Sequence, residues 1–299
     1  MAGPCPRHKE VPMPELPQVE ALADFLRTDL VGSVIERLEV GAISALKTFD
    51  PPPDALVGRT VTAINRFGKH LDVDAGGLHL VFHLARAGWL VWREKVPSTV
   101  IKPGKSRIAL RVRPQGGAGF DLTEAGTQRK LAVWIVRDPQ QVPSIASLGP
   151  DPMAPGFTPA VFWQILAGAG RAQLKGILRD QHVIAGIGNA YSDEILHDAK
   201  LSPFKPAANL TDDEVERLYA AIRDGLAAAT ERARGLAARD IKADKRAQLR
   251  IHGHAGDPCP VCGTPIASVN FADSSLQYCP VCQTGGKKLA DRRMSKLLK

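Results

Sequence analysis

Between Pro14 and Val31 the apolar residues Val19, Leu22, Ala23, Phe25 and Leu26 gather near one side of a 3.6-residue period. That spacing predicts an amphipathic helix over 14–31, entered through a Pro-Glu-Leu-Pro turn. From Ser33 to about Arg137 the pattern changes to short runs rich in Val, Ile, Leu and Trp: 34–40, 60–67, 70–75, 78–84, 89–92, 108–113 and 131–136. Gly and Pro clusters such as Asp50-Pro51-Pro52-Pro53 and Gly116-Gly117 separate them, as between strands of an antiparallel sandwich or barrel. Past Asp138-Pro139 the helical period returns, predicting helices over 159–167, 172–179, 189–199 and 211–234. A basic stretch over 240–250 (Lys242, Lys245, Arg246, Arg250) then leads into a cysteine-rich end.

The fold class expected is α+β. An N-terminal extension (1–13) precedes a β-sandwich domain with a leading helix (14–138). A Pro-rich linker (139–155), a helical domain (156–250), a zinc-binding hairpin (251–288) and a basic tail (289–299) follow.

Apolar residues make up 44% of the chain, an ordinary globular share that excludes wholesale disorder. The net charge of +8 favours a partner that carries phosphate, because cationic side chains displace condensed counterions. No apolar run reaches the roughly 18 residues of a membrane span, and residues 1–12 lack the apolar stretch of a secretory signal. A cytosolic protein is expected, in which the five cysteines stay reduced.

Four of those cysteines form two tight pairs, Cys259-Pro-Val-Cys262 and Cys279-Pro-Val-Cys282. Four thiolates at this spacing close a tetrahedron around Zn²⁺. With four protein ligands the ion has no open position, so its expected role is to fold a hairpin too small for its own apolar core. Cys5 is left over, and Lys287, Lys288, Arg292, Arg293, Lys296 and Lys299 make the end strongly basic.

The segment Asp180-Gln-His-Val-Ile-Ala-Gly-Ile-Gly-Asn-Ala-Tyr-Ser-Asp-Glu-Ile-Leu196 places Gly186 and Gly188 between two helices. A turn of this kind exposes backbone N–H groups at the positive end of a helix dipole, a natural phosphate site. Asn189 starts the second helix, and Lys175 lies just upstream. On spacing alone, a purely structural turn is an equally good reading.

This segment, its continuation LSPFKPA, the start Met13-Pro14-Glu15-Leu16-Pro17-Gln18-Val19-Glu20 and the four-cysteine end resemble, in order, the formamidopyrimidine-DNA glycosylase and endonuclease VIII family. The resemblance implies a helix-two-turn-helix domain and damaged double-stranded DNA as partner, lying in a cleft between the domains of a monomer. It also implies base excision followed by cleavage at the abasic site. By the same resemblance Pro14 is the amine nucleophile, Glu15 the general acid at the sugar ring oxygen and Lys69 a phosphate-gripping lysine. His83, Arg86, Arg129, Lys175 and Asn189 are the expected DNA contacts. The chemistry needs a free Pro14 nitrogen, so residues 1–12 are expected to be a mis-called start or to be removed, together with Met13.

Three positions depart from the family pattern. Gln18 stands where the family has Glu, Arg86 where it has a void-filling Met, and Ser274 where it has a phosphate-holding Arg. These changes motivate a second reading, a damage-binding protein of the same fold with little turnover. A zinc-ribbon protein bound to RNA accounts for the charge and the cysteines but not for the Pro-Glu-Leu-Pro start.

Overall fold

The computed structural model describes residues 13–102, 104, 106–125, 128–271 and 274–289. Expectations about residues 1–12, including Cys5, and about the tail from residue 290 fall outside the described residues.

Helix α1 (Leu16–Leu30) is the first element. Eight strands follow: β1 (Ile35–Val40), β2 (Ala63–Phe67), β3 (His70–Asp74), β4 (His79–His83), β5 (Gly88–Arg93), β6 (Ile108–Pro114), β7 (Gly119–Glu124) and β8 (Ala132–Val136). They form two four-stranded antiparallel sheets, ordered β1-β6-β7-β5 and β2-β3-β4-β8. Alternating inward residues fill the space between them, among them Ile64, Leu71, Val73, Leu80, Phe82, Leu110, Val112, Phe120 and Leu122. Phe120 is fully buried, and Trp134 packs partly buried against a smaller cluster with Val81 and Val136. The expected sandwich with a leading helix is therefore present.

The proline-rich segment after β8 is less irregular than its composition suggests. A 3-10 turn capped by Asp138 runs into the short helix α2 (Pro143–Ala146). Helices α3 (Pro159–Ala169), α4 (Leu174–Arg179), α5 (Asn189–Asp198) and α6 (Asp212–Ala233) build a second core around Phe157, Phe162, Leu178, Ile187, Ile195, Leu218 and Ile222. Thr211 and Glu214 form the capping box that starts α6, where side chains meet backbone N–H groups that lack helical partners. The basic stretch that leads into the cysteines forms α7 (Ile241–Gln248). A hairpin of β9 (Ala267–Asn270) and β10 (Ser275–Tyr278) and the short helix α8 (Pro280–Thr284) complete the described elements.

Helix α1 belongs to both cores. Leu16 at its start lies among the helical-domain residues, while Val19, Leu22, Leu26 and Leu30 lie in the sandwich core. Ala233, Ala238 and Ile241 reach back into the sandwich core, and Trp89 Nε1 donates to Ala238 O at 3.1 Å. Arg66 on β2 ties to Glu20 on α1 at 2.5 Å and to Asp151 ahead of α3 at 2.7 Å. These contacts fix the first turn of α1 against the glycine turn of the helical domain.

Candidate active site

The site begins with backbone geometry. Leu16 N donates to Gly186 O at 3.0 Å, seating the start of α1 on the glycine turn. Gly186 has φ +88°, and a Cβ there would lie 2.7 Å from Leu16 Cδ1. A Cβ on Gly188 would lie 2.5 Å from the Glu15 carboxyl carbon. Only glycine allows both approaches.

Into the space beside Gly188 goes the Glu15 side chain. Its carboxylate accepts from Gly188 N (2.6 Å), Ala190 N (3.1 Å) and Tyr191 N (3.3 Å) at the N-terminus of α5. The sequence suggested a phosphate for this helix end. The structure fills it with an anion from the same chain, because Glu15 is delivered there by the first turn of α1 and satisfies the same orphan donors.

The ammonium of Lys245 lies 3.1 Å from Glu15 Oε1. Burial by itself would raise the Glu15 proton affinity, but the Lys245 and Lys69 ammoniums outweigh it and lower its pKa to about 2. Glu15 is thus a resting carboxylate and carries no proton at neutral pH. A general-acid role for Glu15 therefore requires that it first take up a proton from a neighbour, such as the N–H of an attacking amine.

Gln18 has a function in this arrangement. Its Oε1 accepts from Glu15 N at 3.2 Å, and its Nε2 donates to Tyr191 Oη at 2.9 Å. A glutamate at 18 would place a second carboxylate beside Glu15 and lose the donor toward Tyr191.

Lys69 sits in the β2–β3 turn after Gly68 (φ +57°) and is buried. Burial lowers its pKa to about 8, Glu15 opposes that shift, and Lys245 and Arg179 add to it. The structure therefore brings Pro14, Glu15 and Lys69 together around one buried point. In the chain as it stands the Pro14 nitrogen is an amide to Met13, whose carbonyl accepts from Lys245 Nζ at 2.8 Å.

Three expected DNA contacts share the adjoining end of the sandwich. His83 closes β4 opposite His70 and Ala132. Its Nδ1 accepts from Ala85 N (3.2 Å), and burial and nearby charge lower its pKa to about 3, so it is neutral. Arg86 is exposed in the β4–β5 turn. Arg129 is exposed in the segment before β8, and the two loops meet where Ala125 N donates to Ala87 O at 3.1 Å.

The other two face inward. Lys175 is buried, with Nζ 2.6 Å from Asp193 Oδ1 and 2.8 Å from Asn189 O. It is no open phosphate contact, because Asp193 already neutralises it. Asn189 does not reach outward: its Nδ2 donates to Ser275 O on β10 at 2.7 Å, and its Oδ1 is buried without a partner among the described residues. Asp193 Oδ2 also holds His252 Nδ1 (2.7 Å) and Gln277 N (3.2 Å), so α5 is bolted to the hairpin.

The four sulfurs of Cys259, Cys262, Cys279 and Cys282 lie within 4.8 Å of one another. The Cys259–Cys282 and Cys262–Cys279 separations are 3.9 and 3.4 Å. Zn–S bonds of about 2.3 Å in a tetrahedron set S···S near about 3.8 Å, so the cluster fits a structural zinc ion. Ser274 ends the β9–β10 turn, where its carbonyl accepts from Phe271 N at 2.8 Å. The sequence has no Lys or Arg between Arg250 and Lys287, so Lys287 and Lys288, after the last cysteine, are the cations nearest in sequence to this turn.

Lys245 stood in the sequence only as one of the basic residues of 240–250 and was not singled out as a site residue. The available signal was the i, i+4 stripe Ile241–Lys245–Leu249, all three buried in the structure.

Comparison with known proteins identifies the family. Residues 13–129 match the N-terminal domain of formamidopyrimidine-DNA glycosylases, residues 148–240 their H2TH domain, and residues 256–285 the zinc finger found in FPG and IleRS. The chain belongs to the formamidopyrimidine-DNA glycosylase family. It is 35% identical to the formamidopyrimidine-DNA glycosylase of Symbiobacterium thermophilum, over 94% of this chain and 93% of that one. It is also 54% identical, over 45% of its length and 85% of the other, to an uncharacterized formamidopyrimidine-DNA glycosylase-like protein of Mycobacterium tuberculosis. Among solved structures, the MutM (Fpg) protein of Thermus thermophilus aligns with a TM-score of 0.76 and 29% identity, over 92% of this chain and 100% of that one. Lactococcus lactis Fpg bound to N7-benzyl-Fapy-dG DNA aligns with a TM-score of 0.79 and 25% identity, over 91% and 100%.

Proposed function

We propose that the protein is a base-excision DNA glycosylase and abasic-site lyase acting on oxidised bases in duplex DNA, with Pro14 as its nucleophile. The observation that carries this reading is the convergence of Pro14, Glu15 and Lys69 where the sandwich meets the glycine turn. The neutral Pro14 nitrogen attacks the sugar C1′, and the C1′–N bond to the damaged base breaks with its electron pair leaving on the base. The proton of the attacking N–H passes through the Glu15 carboxylate to the ring oxygen, the C1′–O bond breaks onto that oxygen, and the opened sugar is held as an iminium between Pro14 and C1′. The iminium acidifies the C2′ hydrogen, whose loss expels the 3′ phosphate oxygen and nicks the strand. Water then hydrolyses the link and returns the amine.

In this reading Lys69 holds a phosphate beside the lesion. His83, Arg86 and Arg129, on one end of the sandwich, meet the DNA where the base is flipped out, with the planar Arg86 guanidinium stacking in the gap. Lys175 and Asn189 act indirectly, by fixing α5 and the zinc hairpin against each other. The protein works as a monomer in the bacterial cytosol. The domain limits are 14–138, 139–155, 156–250 and 251–288, with Met13 and the residues before it removed.

The test is borohydride trapping on duplexes carrying a single abasic site or oxidised base, using protein that begins at Pro14. A covalent adduct mapping to Pro14, with strand nicking, is expected. Salt-dependent binding without adduct or nicking would instead establish a damage-binding protein, the reading that Ser274 motivates.

A further inference from the structure

Lys245 is a lysine where an apolar residue belongs. It occupies the inward stripe of α7 between Ile241 and Leu249, and its side chain is 1% exposed. An unpaired ammonium at such depth is strongly disfavoured, so its partners define its purpose. Nζ donates to Met13 O (2.8 Å) and Glu15 Oε1 (3.1 Å) and lies 5.2 Å from the Tyr191 ring centroid. The oxygen and nitrogen of one amide are about 2.2 Å apart, which puts Nζ no more than about 5 Å from the Pro14 nitrogen.

The other charges around this point are accounted for. Asp193 is held by Lys175 and His252, and Glu194 by the backbone amides of residues 250–252. Lys69, from the β2–β3 turn, adds a second positive charge, with Arg179 behind it. Glu15 is thus the one carboxylate bonded to Lys245 among the described residues, and it already accepts three backbone N–H bonds.

We infer that Lys245 is a positioning residue of the active site, whose ammonium locks the Glu15 carboxylate in place and keeps the mature Pro14 nitrogen in its reactive free-base form. The inference rests on the reading of Pro14 as nucleophile. Removal of Met13 takes away one acceptor of the ammonium and leaves a secondary amine in its place. A cation at that distance disfavours a second cation, so protonation of Pro14 is suppressed and more free amine is present at neutral pH. Burial also lowers the proton affinity of Lys245, while Glu15 opposes the shift and keeps the pair salt-bridged.

The experiment follows borohydride trapping on abasic-site DNA as a function of pH, with protein beginning at Pro14, its Lys245→Met and Lys245→Gln variants, and Lys245→Arg. Loss of the charge leaves Pro14 more easily protonated. The acidic limb of the trapping profile then moves to higher pH by about one unit, and adduct yield below the limb falls about tenfold. Lys245→Arg restores the wild-type limb. Lys245→Gln keeps a donor toward Glu15 without the charge, so it carries the test if the Met variant does not fold. Zinc content and affinity for abasic DNA, both expected within about threefold of wild type in the Gln variant, report folding. A limb at the wild-type pH in the folded Gln variant, whatever the overall loss, would overturn the inference and make Lys245 merely structural. Absence of any adduct with wild-type protein would overturn the Pro14 reading itself, and the role of Lys245 with it.

Discussion

Glu15 owes its charge to its surroundings. A carboxyl whose pKa falls from 4.5 to about 2 on folding contributes stability that is fully present above its unfolded value. That contribution is lost as the pH falls through the folded value, and amounts to about 3 kcal/mol. Urea unfolding of wild type and Glu15→Gln should therefore show a gap at neutral pH that closes between about pH 4.5 and 2. A gap constant across that window would contradict the ionised state assigned to Glu15. The glycines beside it are constrained by contact. Gly188→Ala drives a methyl onto the Glu15 carboxyl at 2.5 Å, and the expected result is destabilisation of about 2 kcal/mol with loss of nicking. Pro14→Gly, which changes the amine and leaves the helix start intact, should weaken trapping and nicking much more than DNA affinity. Equal losses in both would contradict the division of roles between the amine and the surrounding cations.

The zinc hairpin and α5 behave as one element. Asn189, Asp193 and His252 join the N-terminal half of α5 to β10 and to the segment before the first cysteine. His197 Nε2 lies 3.2 Å from Cys259 Sγ at the other end of the helix. The hairpin has only small clusters of its own, around Ile251 and Ile266 and around Val269, Leu276 and Tyr278, so the metal supplies much of its stability. Cys279→Ser, or chelation, should release the zinc and expose Asn189. DNA affinity should fall more than about tenfold while the sandwich stays folded. Zinc analysis, circular dichroism and binding to abasic duplex check this, and full affinity in metal-free protein would refute it.

Across the whole molecule, α1 joins two cores, starting in one and ending in the other. The ion pairs of Arg66 with Glu20 and Asp151 close the back of that joint. The net charge of +8 governs association with DNA more than the chemical step. Each phosphate neutralised adds about −0.9 to the slope of log affinity against log salt. Arg129→Ala should flatten that slope by about one, as measured by binding titrations from low to physiological salt, whereas Arg86→Ala should lower affinity for lesion duplex more than for undamaged duplex. Lys175→Ala should leave the slope nearly unchanged while lowering stability, since Asp193 already balances its charge. A slope change of about one in that variant would return Lys175 to the phosphate contacts.

What the chain revealed before folding was whatever is encoded by neighbours in sequence. The period of α1 and α6, the alternation of the sandwich strands and the spacing of Cys259, Cys262, Cys279 and Cys282 are local patterns, and local physics reads them. The charge state of Glu15 and the placement of Lys245 are not local. Both depend on groups 173 to 230 positions away meeting in a dry space, where one ion pair outweighs the intrinsic preference of either side chain. For the same reason Lys175 and Asn189, both open to solvent on a reading by position alone, turned out to be internal struts. Sequence pointed to Pro14, Glu15 and Lys69 through the family resemblance, but not to Lys245. Tertiary packing decided which of them are charged, which face solvent and which are internal, because burial and electrostatic pairing come into being only when the distant segments meet.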